Sequence, residues 1–442
     1  MSDELPQGWA SARLEEIVTA RKGKKPALLR DTPANGFVSY LDIHAIEKNV
    51  VRQFAEVKSS KLAAKDDLFV VWDGARSGWI GGGITGAIGS TIMALTAQQV
   101  ESAYVRHFIA GQFQNLNTNT RGTGIPHVDP EVFWNLEVPL APLAEQRRIV
   151  AKVETLLSKV DTCQQRLAKI PKLLKRLRQS VLAVACSGRL TADWREENPN
   201  ASDVNGSEDT PDGFPALPET WRWKELATVC TNVVDCPHST PKWTESGRLC
   251  VRTTNFKPGF LELSEVRYVS NATFNERIER LRPQPGDILY SREGGILGIA
   301  CIIPPGVELC LGQRMMLFRT KSDFNAAFLM HWLNSRVILR RVQELTGGSA
   351  SPHLNVRDIK SFPTPVPPFP EQQEIVRRVE SLFALADQIE ARLKTAASRI
   401  GGITPSLLAR AFTGKLVPQD PTDEPAEKLL ERIKSKKASH AH

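Results

Sequence analysis

No stretch of the 442 residues is apolar over anything near the roughly 20 positions that a membrane-crossing helix requires. The opening MSDELPQGWA also lacks the basic-then-apolar order of a secretory leader. The expectation is a soluble, cytoplasmic protein with no membrane role. Cysteine is sparse and unpatterned. The seven residues (Cys163, Cys186, Cys230, Cys236, Cys250, Cys301 and Cys310) form no CxxC pair. Cys236 and His238 stand close, but no second pair follows at zinc spacing, so buried thiols in a reducing compartment are the better reading.

Several catalytic signatures are present only in fragments. GGGITG at Gly81–Gly86 fits GxGxxG, yet a dinucleotide site needs that loop between a strand and a helix. The following AIGSTIMALT reads as strand, which makes the segment a glycine-rich turn. VPPF at Val366–Phe369 resembles the (Asn/Asp)-Pro-Pro-aromatic motif of amino methyltransferases. Val366 replaces the polar residue that would hold the amino group, and no glycine-rich methyl-donor loop accompanies it. Asp42 with Glu56 and Lys58 imitates the acid-plus-lysine set of a metal nuclease, but in the second half Arg252–Asn255 falls near Asp42 and Glu265-Val266-Arg267 replaces Glu-x-Lys, so only one half could carry such a site. The simplest account is a protein without a catalytic centre of its own.

What the chain does contain is a duplication. Displaced by 226 positions, Pro126–Leu190 aligns with Pro352–Leu416 without a gap, with 20 identities in 65 positions. EQRRIVAKVETLL at Glu145 returns as EQQEIVRRVESLF at Glu371. Upstream, LPQGW at Leu5 matches LPETW at Leu217, DDLFVVWDGARSG at Asp66 resembles GDILYSREGGILG at Gly286, and YVRHF at Tyr104 matches FLMHW at Phe328. Each half is therefore a mixed α and β unit followed by a helix. DLFVVW and DILYS read as strands, and helices are expected after Glu101 and after Asp323.

The two repeated helices carry apolar residues in 4,3 steps. One seam runs from Ile149 through Val153, Leu156 and Val160 to Val181, the other from Ile375 through Val379, Leu382 and Ala386 to Leu407. That is the a/d pattern of a coiled coil, in rods of roughly 60 Å at 1.5 Å per residue. Pro171 should kink the first rod, and Gly401, Gly402 and Pro405 should loosen the second. Charge is concentrated on the first. The chain carries a net +8, and Glu145–Arg195 alone holds 12 Lys/Arg against 4 Asp/Glu. Such a balance permits an anionic partner.

The layout resembles the specificity subunit of type I restriction–modification systems. The residues that carry the resemblance are EVPLAPLAEQRRIV (Glu137–Val150) and TPVPPFPEQQEIV (Thr364–Val376). To these are added the helix ends SGRLT (Ser187–Thr191) and TGKLV (Thr413–Val417), and the pair LPQGW/LPETW. KIPKLLKRLRQSVL (Lys169–Leu182) is similar to the central spacer of one branch of that family.

The resemblance implies an α+β protein. Two similar mixed α/β target recognition domains would be separated by two long helices that form an antiparallel coiled coil, in a pseudo-two-fold internal repeat. The expected segments are a first recognition domain at 1–142, a central helical spacer at 143–194, a flexible linker at 195–216, a second recognition domain at 217–368, a distal helical spacer at 369–417, and a polar tail at 418–442 forming a short helix whose end, the basic run Lys434–Lys437, is solvated.

By the same resemblance the partners are double-stranded DNA, two methyltransferase subunits and the restriction/translocase subunits. S-adenosylmethionine, ATP and Mg would serve those partners and not this chain. The candidates for DNA contact, chosen by type and placement, are Lys22, Lys24, Lys25, Arg76, Arg121 and His127 in the first domain. Those in the second are Lys242, Arg252, Arg292, Arg314 and His353. Gly122–Gly124 and Gly347–Gly348 offer loops able to approach a backbone closely. The basic face of Lys172, Lys175, Arg176 and Arg178 either lies along DNA or docks an acidic methyltransferase surface, and the family picture favours docking. The rival readings are a recognition subunit of another multi-subunit restriction class, a lone nuclease or fused methyltransferase, and a coiled-coil scaffold without DNA specificity.

Overall fold

The computed structural model describes residues 5–122, 124–201, 209–347 and 352–440. The chain divides into two compact units. The first comprises 1–168 and 395–442, and the second is the continuous segment 169–394.

Unit 1 is built on a four-stranded antiparallel sheet in the order Val18–Lys22, Ile92–Ala97, Leu68–Val71, Ile80–Gly82. Leu68–Val71 is buried at every position because both faces are covered. Successive side chains alternate between two cores. Leu68 and Val70 join the cluster that contains Tyr104, Phe133 and Ile149, while Phe69 and Val71 join Leu41, Ile88 and Ile92. Unit 2 repeats the plan with Cys230–Asp235, Met315–Thr320, Ile288–Ser291 and Ala300–Ile302 in the same order. There Ile288 and Tyr290 face one core and Leu289 the other. Each unit adds a parallel strand pair, Phe37–Leu41 with Gly86–Ile88 and Arg248–Val251 with Leu309–Leu311. The GGGITG segment thus joins strand Ile80–Gly82 to strand Gly86–Ile88. The expected helices are Ser102–Gly111 and Ala326–Leu333.

The repeated LPxxW and EQ sequences meet each other. In unit 1 the Trp9 indole donates to Glu145 Oε2 at 3.0 Å, and in unit 2 the Trp221 indole donates to Glu371 Oε2 at 2.8 Å. Gln146 donates to the Ala141 carbonyl at 2.8 Å, and Gln372 donates to that of Pro367 at 2.9 Å. These four polar side chains are almost fully buried, and each pins the start of a long helix to its own unit. The repeated glycines close the same corner. Gly188 and Gly414 have φ of 75° and 68°, and a Cβ on either would collide with Pro218 or Pro6 respectively. The helix end written in the first half therefore packs on the second recognition segment, and the one written in the second half packs on the first.

At Pro171 the first rod is interrupted, into helices Leu143–Leu167 and Ile170–Cys186, with Ala168 and Lys169 between them in helical dihedrals and Pro171 in the first turn of the second helix, where its missing N–H is harmless. The other rod is a single helix, Phe369–Ala411, despite Pro405 inside it. The carbonyl that Pro405 leaves without a donor belongs to Gly401, an exposed residue, where such a loss is least costly. In unit 2, Ile170–Cys186 runs antiparallel to the first part of this helix. Arg178 reaches Asp387 and Glu390, whereas Asp193, farther along, meets Arg378. In unit 1, Ile149 and Val153 pack with Leu407, Leu408 and Ala411.

The segment expected to be a flexible linker is partly docked. Ala192–Glu197 is helical, Arg195 pairs with buried Glu371, and Phe214 stacks edge-on against Trp223 at 5.4 Å. Residues 202–208 of it lie outside the described residues. The tail forms the helix Ala426–His440, with Leu429, Leu430 and Ile433 buried in the unit 1 core and Lys434 and Lys436 exposed toward its end.

Candidate nucleic-acid interface

One end of the four-stranded sheet of unit 1 gathers several of the candidates. Strand Val18–Lys22 delivers Lys22 there, and the turn after Leu68–Val71 delivers Trp72, Asp73 and Arg76. The hairpin Thr120–Arg121/His127–Val128 folds back onto that turn through a bridge between Asp73 and His127. Asp73 is the hub. One carboxylate oxygen accepts from Lys22 Nζ at 2.6 Å, and the other lies 2.8 Å from His127 Nδ1. Burial opposes its ionisation, but the hydrogen bonds from Lys22 and His127 prevail and hold its carboxyl below the usual range. The Lys22 ammonium also lies 5.7 Å from the centre of the Trp72 ring.

Around this hub, Lys24 and Lys25 are exposed and make no ion pair among the described residues. Arg76 pairs with Glu47 at 3.1 Å and lies over Phe113. Arg121 is held by Asp129 at 2.8 Å and Glu131 at 3.2 Å, so its charge is locally compensated. Thr123, within the Gly122–Gly124 loop, lies outside the described residues.

Unit 2 uses the same backbone device. A bridge joins Glu293 to His353, and the Gly294 amide donates to the Pro352 carbonyl at 3.1 Å as Gly74 does to Pro126 at 2.8 Å. The side chains differ. Arg292 takes the place of Trp72, and its guanidinium is buried, bonded to Asp235 at 2.8 and 3.0 Å, to Glu293 at 2.7 Å and to the Leu354 carbonyl at 3.0 Å. With its donors spent inside the unit, Arg292 is scaffold and not a free surface cation, which corrects its choice as a DNA contact. His238 lies 3.1 Å from the same Asp235 carboxylate. Lys242 is exposed without an ion pair among the described residues, and Arg314 is exposed at a positive φ of 67°. Arg252 is half-buried, with its Nε lacking a hydrogen-bond partner. His353 is exposed beside Glu293, and Gly348 lies outside the described residues.

The family model "Type I restriction modification DNA specificity domain" matches residues 6–172 and again 251–398, well over half of the chain. The chain belongs to that family. The specificity subunit of the type I restriction enzyme EcoKI from Escherichia coli K12 is 26% identical, with 99% of this chain and 97% of that protein covered. The EcoBI specificity subunit of Escherichia coli is 29% identical over 85% and 80% of the two chains. Among solved structures, a chain from a type I restriction–modification system studied for its complex assembly superposes with a TM-score of 0.68 at 21% identity, covering 93% of this chain and 100% of that one. The HsdS subunit of Thermoanaerobacter tengcongensis gives 0.56 at 21%, covering 93% and 98%. These two show the shared fold.

A specificity subunit recognises DNA within a complex that includes methyltransferase and restriction subunits, and the chemistry belongs to those partners. The two matched segments fit recognition of a two-part target. Within this specificity subunit, Asp42 is occupied structurally. It caps the helix Ile43–Lys48 through the Ala45 amide at 2.7 Å and pairs with Arg52 at 2.7 Å. Among the described residues no group of three or more His, Cys, Asp and Glu is placed to hold a metal ion, and no helix is long and apolar enough to cross a membrane.

Asp73, Trp72, Asp235 and His238 were not selected from sequence. The signal for Asp73 was present in its alignment with Glu293, but only the fold brings it to Lys22 and His127.

Proposed function

We propose that this specificity subunit reads a bipartite DNA target with one recognition domain per half-site, those domains being 1–142 and 217–368 with helical spacers at 143–194 and 369–417. The observation that carries the reading is the twice-built sheet end, with Asp73–His127 in one unit and Glu293–His353 in the other. Phosphate contacts by Lys24, Lys25, Arg76, Arg121, Lys242, Arg252 and Arg314 position each domain, and Lys22, His127 and His353 read base edges. Two methyltransferase subunits, using S-adenosylmethionine, modify adenines in the target. Restriction subunits using ATP and Mg complete the cytoplasmic complex.

The methyltransferase docks on the helices. In support, Leu173, Leu177, Leu385 and Ile389 are exposed on the unit 2 helices, an apolar surface that a partner would cover, beside the exposed cations Lys172, Lys175 and Arg176. Arg178 takes a different part, since its guanidinium is engaged by Asp387 and Glu390.

The test is a region exchange. Leu5–Thr120 is replaced by the equivalent region of a relative with a different target, and methylated adenines are mapped in cells that carry the partner genes. The expected result is a new first half-site with the second unchanged. A change in both half-sites overturns the modular reading.

A further inference from the structure

We propose that Asp73 is a positioning residue for base reading in unit 1. It holds Lys22 and His127 as one fixed pair of recognition groups. This rests on the bipartite reading above and deepens it, because it assigns specificity to a residue of the wrong charge for DNA.

A carboxylate at a DNA-binding surface repels phosphate, so it needs a compensating role. The geometry supplies one. Lysine ends a flexible stem, and its ammonium is ordinarily a mobile point charge. Here Asp73 fixes that ammonium at 2.6 Å, with Trp72 beneath it. The same carboxylate fixes the imidazole through Nδ1, so Nε2 is the nitrogen left to face outward. Gly122 keeps that side uncovered, since a Cβ there would come within 3.1 Å of His127 Cδ2 and 3.7 Å of Nε2. Lys22 and His127 remain accessible, with 36% and 48% of their side chains exposed, whereas Asp73 is 21% exposed and sits behind them.

Held in this way, the His127 ring presents Nε2 to a base edge, and the adjacent ammonium presents donors suited to guanine O6 and N7. In unit 2 the arrangement is transposed. The carboxylate comes from the strand end that supplies Lys22 in unit 1, both its oxygens grip a buried arginine, and His238 Nε2 lies 3.1 Å from it. The two units thus present different donor and acceptor sets from one backbone plan, as a two-part asymmetric target requires.

The experiment uses the full chain assembled with its partner subunits and compares wild type, Asp73→Asn and Asp73→Glu. Methylated adenines are mapped in cells, and duplexes carrying the target or a scrambled sequence compete for binding at fixed salt. Asp73→Asn removes a negative charge, so electrostatics alone predicts tighter binding to both duplexes. Positioning predicts the opposite for the target. The ratio of target to scrambled affinity falls roughly 10-fold, the scale of one lost base contact, while scrambled binding holds or strengthens. The first half-site becomes degenerate, the second stays intact, and Asp73→Glu recovers part of the preference.

An unchanged first half-site, or equal gains on both duplexes, overturns the proposal. So does loss of both half-sites in a variant with unchanged thermal melting. If Asp73→Asn fails to assemble, Lys22→Met and His127→Gln must each relax the first half-site alone, and their failure to do so overturns it as well. A wild-type complex without a bipartite preference would instead sink the underlying reading.

Discussion

The two sheet ends share a backbone and differ in what they do with charge. In unit 1 a strand-borne lysine meets a turn-borne aspartate, and both remain partly accessible. In unit 2 the signs are exchanged, with a strand-borne aspartate and a turn-borne arginine whose side chain is only 8% exposed. The same backbone bridge to a histidine survives the exchange. The bridge and its turn are therefore framework, and the side chains they carry are free to vary. The helix anchors show the reverse pattern, since Trp9–Glu145 and Trp221–Glu371 are repeated almost without change. On the proposed reading the sheet ends recognise different half-sites and must differ, while a joint between helix and domain must work twice.

That comparison is sharpest at the anchors, where the largest effect is expected. Glu371 serves Trp221, Thr191 and Arg195, all within unit 2. Truncation by Glu371→Ala strands a guanidinium and an indole N–H, which costs about 3–5 kcal/mol. Glu145 serves Trp9 and has its second oxygen unpartnered, and burial raises its carboxyl pKa. Glu145→Ala should cost about 1–3 kcal/mol. Urea unfolding followed by hydrogen exchange in each unit would report the two losses separately. Equal losses would mean that Arg195 contributes nothing to the second anchor.

A smaller effect separates the two buried histidines at matching positions, His107 and His331. Burial pushes each down to about 4, with Arg106 reinforcing and Glu154 opposing the shift at His107. The unfolded chain takes up a proton near pH 6.5, whereas the folded units resist until about 4. The stability present above pH 6.5 is therefore lost as pH falls from there toward 4, on the order of 1–3 kcal/mol per group. His107 has the Glu154 carboxylate 3.7 Å away to receive a proton's charge, and His331 instead packs edge-on against Phe383 at 5.7 Å. His331→Leu should flatten the drop in urea midpoint between pH 7.5 and pH 5 more than His107→Leu does. The opposite ranking would show that Glu154 does not relieve His107.

The smallest effect distinguishes Arg178 from its basic neighbours. As a partly exposed pair with Asp387 and Glu390, it should contribute less than about 1 kcal/mol, so Arg178→Gln lowers the melting temperature slightly. Lys172→Gln, Lys175→Gln and Arg176→Gln should leave melting unmoved and instead weaken assembly with the methyltransferase, measured by sedimentation. Loss of assembly in Arg178→Gln alone would reverse these roles.

Much of this molecule was determined by sequence alone. The 226-residue repeat, the strands DLFVVW and DILYS, the helices after Glu101 and Asp323, and the family all follow from local pattern, because periodicity and turn chemistry act over a few residues. The EQ and LPxxW motifs were visible as repeats, but not as partners of each other. Tertiary structure decided what depends on distant residues meeting. It brought Asp73 to Lys22 and His127, buried Arg292 against Asp235, and let Pro405 pass within a helix. It also placed each repeated helix end against the opposite recognition segment, Gly188 on Pro218 and Gly414 on Pro6. A residue's charge can be read from one letter. Whether that charge is spent inside the protein or remains for DNA depends on neighbours that lie tens to hundreds of positions away in the chain.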